Sequence, residues 1–326
     1  MAERVFLKGM TSSSYTLKEF RAQQLAAPRV RGDDVVVADM SVGYGDIGKD
    51  THNWWRVGPG DDPFLTQTLQ VHFVELPPGT SNNGHGHQNE AAFYILEGKG
   101  YEIHDDKRYD WSKGDLVFVH TDSVHQHFNP YDQRAVALVT KAKSAWMYLG
   151  LVQQGSKSQI DDPSRFGERI EWGQIWTKGV ESRKKVVHPE DNQWEETGLG
   201  RVKVLSSPAK TDLRDFSVDV FELEIAPGGK SGRRWQMADE ILYVISGSGY
   251  SLHWEVGADI AEKYYARIAK EPTRHEFKEG DVLYVPQNTV AQHFSQNGEP
   301  LHMLSAQNRL FKMLGYDNVV YLDDAS

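Results

Sequence analysis

The sequence predicts an all-β chain folded as two small barrels in tandem, and three observations carry that expectation. The first is an internal repeat: Gly98-Lys99-Gly100-Tyr101-Glu102-Ile103-His104 matches Gly247-Ser248-Gly249-Tyr250-Ser251-Leu252-His253 at an offset of 149. Residues 113–119 then match 279–285, and His127-Phe128-Asn129 matches His293-Phe294-Ser295, at an offset of 166. The second is local pattern. Each repeated block is a short apolar-aromatic run bounded by glycines, as in a barrel or sandwich of short strands. The third is the scarcity of helical periodicity. Its best instance, Asp259-Ile260-Ala261-Glu262-Lys263-Tyr264-Tyr265, falls in the 17 residues by which the second offset exceeds the first, around 258–274, and is expected to be a loop or small helix.

These matches divide the chain into an N-terminal extension (1–64), a first barrel (65–150), a linker (151–199) and a second barrel (200–326). The linker holds Trp172, Trp176 and Trp194, too much apolar surface for a solvated tether, so it is expected to pack. The extension contains Trp54-Trp55-Arg56, expected over a barrel mouth or a partner subunit, with a packing role for these residues equally open.

Composition narrows the function classes. A chain of 326 residues suits two domains of this size. It has no Cys, which excludes disulfides and thiolate ligands and agrees with a reducing compartment. The formal net charge of −10 disfavours nucleic acid as a partner. Arg183-Lys184-Lys185, the longest basic run, reads as a solvated loop. No apolar stretch approaches the length of a membrane span, and the first residues lack the apolar core of a secretory signal, so the expected setting is cytoplasmic with no membrane partner.

The chemistry concentrates in the first barrel. On a strand, His85 and His87 share one face because side chains alternate with period two. A third imidazole, His125, follows the run from Gly114-Asp115, and two antiparallel strands bring such groups within the ~2.1 Å reach of one metal ion. An isolated His-x-His means little; the third His and the flanking glycines make it a metal site.

Here the chain resembles the cupins. Their first motif, a Gly, His-x-His and a later Gly, reads as Gly79, His85, His87 and Gly98, and their second as Gly114, His125 and Asn129. His120 and Asp122 replace the usual Pro and Gly of that second motif. The resemblance implies a bicupin of two double-stranded β-helix (jelly-roll) barrels. That fold serves dioxygenases, decarboxylases, isomerases, storage proteins and sugar sensors, so it does not decide function.

The missing carboxylate narrows the choice. Most metal cupins add a Glu at the position occupied here by Ala91, and that carboxylate survives only in the second copy, as Glu240. Glu90 is one residue off and points away on strand parity unless a bulge intervenes, so it reads as a solvated or lid-facing charge. Three imidazoles and no carboxylate, followed by His125-Gln126-His127, resemble gentisate 1,2-dioxygenase and its relatives acting on 1-hydroxy-2-naphthoate and salicylate. The resemblance implies an Fe(II)-dependent oxidoreductase of aromatic catabolism, with the aromatic substrate and O2 together on a metal held by His85, His87 and His125, in a homo-oligomer. Ligand type alone does not choose iron, since imidazole also suits Zn, Cu and Ni. In that family an Arg stands two positions past Ala91, as an apparent substrate-carboxylate contact, and this chain has Phe93 there. The displaced cation is then another residue, Arg56 among the candidates, or the substrate lacks that carboxylate. The competing enzyme reading is another metal cupin, such as a β-diketone dioxygenase or an oxygen-independent lyase or isomerase.

Acid–base candidates follow from parity. Glu102 and His104 share one face, and His127 lies two residues past His125. His127 and His104 are the candidate catalytic residues, although His293 and His253 keep both imidazoles in the copy without a metal. His120, at a turn, reads as a surface or lid residue. In the second half Arg234, Gln236 and Ala291 replace the three histidines, so Arg234 is expected to pair with Glu240 and the barrel to serve structure. The alternative, a small anion held by Arg233 or Arg234, rests on composition alone.

Overall fold

A computed structural model describes residue 22, residues 25–32, the backbone of 52–57, residues 66–151 and residues 154–326. In chain order the strands begin with Val30–Arg31 (β1) and His52–Val57 (β2). The first barrel follows: Gln70–Leu76 (β3), Thr80–Ser81 (β4), His85–His87 (β5), Ala91–Glu97 (β6), Lys99–His104 (β7), Lys107–Ser112 (β8), Leu116–Val119 (β9), Ser123–Asn129 (β10) and Ala135–Lys141 (β11). A helix, Lys143–Tyr148 (α1), leads to the linker strands Gln154–Ser156 (β12), Val186–Val187 (β13) and Glu195–Thr197 (β14). The second barrel comprises Gly200–Ser206 (β15), Val218–Ile225 (β16), Arg233–Gln236 (β17), Glu240–Ser246 (β18), Ser248–Ile260 (β19), Tyr264–Ile268 (β20), Thr273–Lys278 (β21), Val282–Val285 (β22), Thr289–Ser295 (β23) and Leu301–Asn308 (β24). A short helix, Leu310–Met313 (α2), and the strand Val320–Asp323 (β25) close the chain.

Each barrel is two facing antiparallel sheets. In the first, β13-β9-β6-β11-β3-β2 packs against β12-β5-β10-β7-β8, with β4 also on β10. Alternation along β6 and β11 sorts their side chains. Ala91, Phe93, Ile95, Ala137 and Val139 fill the barrel with Val117 and Val119. The intervening Ala92, Tyr94 and Leu138 point outward, where they meet Val220, Ile241, Tyr284 and Leu304 of the second barrel in one continuous core. Each fully buried Val, Leu or Ile among them contributes ~1.5–3 kcal/mol, so the back-to-back seam is a main source of stability. Tyr94 Oη also donates across the seam to Glu222 Oε1 at 3.1 Å.

The two halves exchange short strands. β13, which precedes the second barrel, pairs with β9 of the first, and β1, which precedes the first barrel, pairs with β22 of the second. These covered edges are strands each barrel would otherwise expose. At the β6–β7 and β18–β19 turns, Gly98 (φ 75°) and Gly247 (φ 87°) hold left-handed backbone, and a Cβ on either would strike the carbonyl of Arg134 or Pro300.

The helix expected at 259–265 is not one. β19 runs on to Ile260, and Asp259 and Ile260 pair with Tyr265 and Tyr264 of β20, so the insertion is a hairpin. The aromatic pair and Ile268 favour extended backbone, and pairing with β20 decides an otherwise ambiguous short segment. The linker packs through β12 and β13, and Trp176 stands edge-on to His120 with Arg214 over its ring, whereas Trp172 is exposed. Lys185 of the basic run is buried, with its ammonium over the Tyr109 ring, because its backbone carbonyl must lie along β9 to accept from Phe118 N. It is therefore not part of a solvated loop. Among the described residues no helix is long and apolar enough to cross a membrane.

Candidate metal centre

The three histidines meet where β5 and β10 pair. The register sets His85 opposite His125, with His87 two residues along the same face. One ring nitrogen from each lies within 4.8 Å of the others. The ring centres are 4.3 Å (His85–His125), 4.6 Å (His87–His125) and 5.6 Å (His85–His87) apart.

Each ring is oriented through Nδ1. That of His87 lies 2.6 Å from the Asn89 carbonyl, that of His85 3.1 Å from the Asn83 carbonyl, and that of His125 3.4 Å from Ser123 Oγ. A carbonyl can only accept, so His87 and His85 carry their proton on Nδ1 and leave Nε2 as a lone-pair donor, the arrangement that second-sphere contacts impose on metal-ligating imidazoles. Burial disfavours the charged forms, lowering His85 to about 4 and His87 and His125 well below the ordinary value. Three neutral imidazoles with converging lone pairs fit a divalent metal ion.

Behind the triad lies a charged network on the neighbouring strand. β7 pairs with β10 so that His104 faces His125 and Glu102 faces His127. Glu102 bridges two imidazoles, with Oε2 2.9 Å from His127 Nδ1 and Oε1 2.7 Å from His104 Nε2, the second contact lying off the hydrogen-bond axis. Burial would raise its carboxyl, but the two imidazoles outweigh burial and hold it at about 2. His127 is fixed further by its backbone N–H, which donates to Asn82 Oδ1 at 2.7 Å, and its ring packs 4.8 Å from Phe93. Phe93, Glu102, Trp111 and His127 help line a cavity of about 20 Å³ in the barrel, room for one water-sized molecule. An open cleft of about 990 Å³ runs along β5, β12 and residues 158–172, with His87 of the triad in its lining.

Lys141, at the end of β11, was not singled out by motif. Lys141 and Lys143 are the charges acting on buried His72, and Lys141 is the strongest acting on His87, ahead of His85. Burial and Lys143 lower Lys141 to about 7. The repeat offset of 166, which matches Lys141 to Gln307, is the one signal that could have marked it.

Two residues lie elsewhere than expected. His120 is fully buried, not at the surface or on a lid: Nδ1 is 2.8 Å from the Thr121 carbonyl and Nε2 3.3 Å from Asp105 Oδ2. Glu90 stands outside the histidine cluster, as parity predicts, but it is buried rather than solvated. Its Oε2 accepts from Phe216 N at 3.0 Å in the second barrel, and burial together with Asp215 pushes its carboxyl up to about 8. The partner is a barrel remote in sequence, which strand parity does not encode. The side chains of Trp54, Trp55 and Arg56 lie outside the described residues.

The second barrel has converted the same positions to an ion pair. Arg234 Nη2 donates to both carboxylate oxygens of Glu240, at 2.6 and 2.5 Å, with Gln236 and Ser305 also donating to it. The guanidinium is thus occupied internally, which removes the alternative of an anion site on Arg234.

A barrel of facing antiparallel sheets with histidines from two paired strands, repeated with the second site filled in, defines a two-domain cupin. The Cupin domain family matches residues 72–141 and the Cupin family residues 190–309. The chain is 27% identical over 282 residues to 1-hydroxy-2-naphthoate 1,2-dioxygenase of Nocardioides sp. (strain KP7), covering 78% of this chain and 67% of that protein. Salicylate 1,2-dioxygenase of Pseudaminobacter salicylatoxidans superposes with a TM-score of 0.61 at 12% identity, over 94% of this chain and 86% of the other. An oxalate decarboxylase variant of Bacillus subtilis superposes at 0.56 with 15% identity, over 85% and 78%, and at these identities both likenesses speak to fold. Cupin models match both halves of the chain, which therefore belongs to the cupins as a two-domain member.

Proposed function

We propose that the protein is an Fe(II)-dependent dioxygenase that opens the ring of a hydroxylated aromatic carboxylate, with His85, His87 and His125 as the iron ligands. The observation that carries this reading is the three-imidazole face with Ala91 where other metal cupins place a carboxylate. Such a face leaves coordination positions for a chelating substrate and O2 together. When bound, Fe(II) supplies the electron path between the two. The relative at 27% identity is named for 1-hydroxy-2-naphthoate, which fixes the substrate class to test.

The chain's own residues hold and move the proton. His127 presents Nε2 toward the barrel interior while Glu102 holds its Nδ1 proton, so Nε2 receives the proton of the substrate hydroxyl and the buried carboxylate balances the resulting imidazolium. His104 acts through Glu102, as a positioning residue, since it is fully buried behind His125. Phe93 gives the barrel an apolar wall beside His127.

The test is oxygen uptake by anaerobically purified, Fe(II)-loaded protein with gentisate, salicylate, 1-hydroxy-2-naphthoate, catechol and a β-diketone. Uptake matched one-to-one with loss of an aromatic acid supports the reading. Iron-loaded protein that consumes no O2 with any of them refutes it.

A further inference from the structure

Phe93 gives the barrel interior an apolar wall, but the end of β11 brings an ammonium, Lys141, to the same interior face. Along β11, Ala137 and Val139 face the interior, so alternation turns Lys141 inward as well. Thr140 pairs with Ala92, which sets Lys141 beside Ala91 on the adjoining strand. The second barrel shows how far a side chain at this station reaches. Gln307, the counterpart of Lys141, pairs with Glu240, the counterpart of Ala91, and its Nε2 donates at 3.2 Å to Gln236, which occupies the place of His87. In the first barrel the carboxylate has become alanine and the amide has become an ammonium.

Among the described residues Lys141 makes no hydrogen bond and no ion pair, and the side chains it acts on or with, the neutral His72, His85 and His87 and the cationic Lys143, bring no negative charge. Lys143 differs, since its Nζ donates to Gln154 Oε1 at 3.4 Å. Lys141 is half-buried at the end of β11, and a cation drawn part way out of water gains when an anion completes it.

We propose that Lys141 receives the substrate's carboxylate and so selects rings that bear an anionic group beside the metal-binding hydroxyl. This rests on the aromatic-acid reading given above and adds the residue that decides between an acid and the parent phenol. Lys143, two residues past the end of β11 and already engaged with Gln154, keeps the neighbourhood positive without being the contact.

The experiment is anaerobic binding of 1-hydroxy-2-naphthoate and of 1-naphthol to the Fe(II)-loaded protein, by fluorescence titration, in wild type, Lys141→Met and Lys141→Arg, with iron content measured in each. Methionine should weaken the acid by about ten- to a hundredfold, the range of one charge-assisted hydrogen bond. 1-Naphthol should change by less than about twofold and arginine should restore the acid, with iron content equal in all three. Equal binding of the acid by wild type and Lys141→Met, equal loss of both ligands, or a wild type that does not prefer the acid would each overturn the proposal. Lys141-dependent binding without O2 uptake would leave it standing while the ring-cleavage reading falls. Ring cleavage unchanged in Lys141→Met would do the reverse.

Discussion

Replacing Arg234 with Met tests the claim that the second barrel traded a metal site for an internal ion pair. In the wild type the Glu240 carboxylate is about 1% exposed, receives two contacts from Arg234 and one each from Gln236 and Ser305, and stays below the ordinary carboxylate range although burial pushes it up. Removing the guanidinium strands that carboxylate with two neutral donors, at a cost of ~3–5 kcal/mol. Glu240→Gln in the same background removes the stranded charge and should recover most of the loss, because replacing both partners of a buried pair is close to neutral. Urea unfolding of wild type, both single variants and the double variant gives the coupling energy directly. For a unit of this size the single change should also lower the melting temperature by ~6–20 °C, at ~2–4 °C per kcal/mol. Iron content should not change. A loss below ~1 kcal/mol in Arg234→Met, or a double variant equal to the sum of the singles, would refute the reasoning.

Three further outcomes follow from the first barrel. Ala at His85, His87 or His125 should each abolish stoichiometric metal retention, read by elemental analysis; full metal content in any one removes that residue from the ligand set. Glu102→Gln should keep the metal but lower turnover by ~100-fold, the usual scale of acid–base assistance, because the carboxylate that balances the His127 imidazolium is gone. Glu90, raised to about 8 by burial and Asp215, binds its proton more tightly in the folded than in the unfolded chain. Its contribution to stability is therefore present at low pH and is lost as pH rises from ~4.3 toward 8. Glu90→Gln should remove that part of the slope in urea midpoint against pH, and an unchanged slope would refute the assignment.

The repeat alone carried the two-barrel architecture, because strand alternation and glycine turns are local and recur at a measurable offset. The triad was equally legible. His85 and His87 share a face by period two, and His125 needed only the antiparallel pairing that the repeat implied. Loss of the second site was readable position by position, as Arg234 and Gln236 stand where the first copy has histidines, and Arg234 does pair with Glu240. What local pattern could not reach was anything decided by partners far along the chain. The segment 259–265 is a local exception, since its helical spacing yields to a hairpin in which Asp259 and Ile260 pair with Tyr265 and Tyr264. Glu90 is buried because residues 215–217 of the other barrel close over it. His120 is buried under Trp176 of the linker, and Lys185 is drawn in by the ladder to Phe118. Lys141 is the sharpest case: its face follows from alternation, but its place beside Ala91 and its action on His85 and His87 depend on how β11, β6 and β5 come together. Periodicity records which way a side chain points relative to its own strand, and only the packing of strands distant in sequence decides what it then meets.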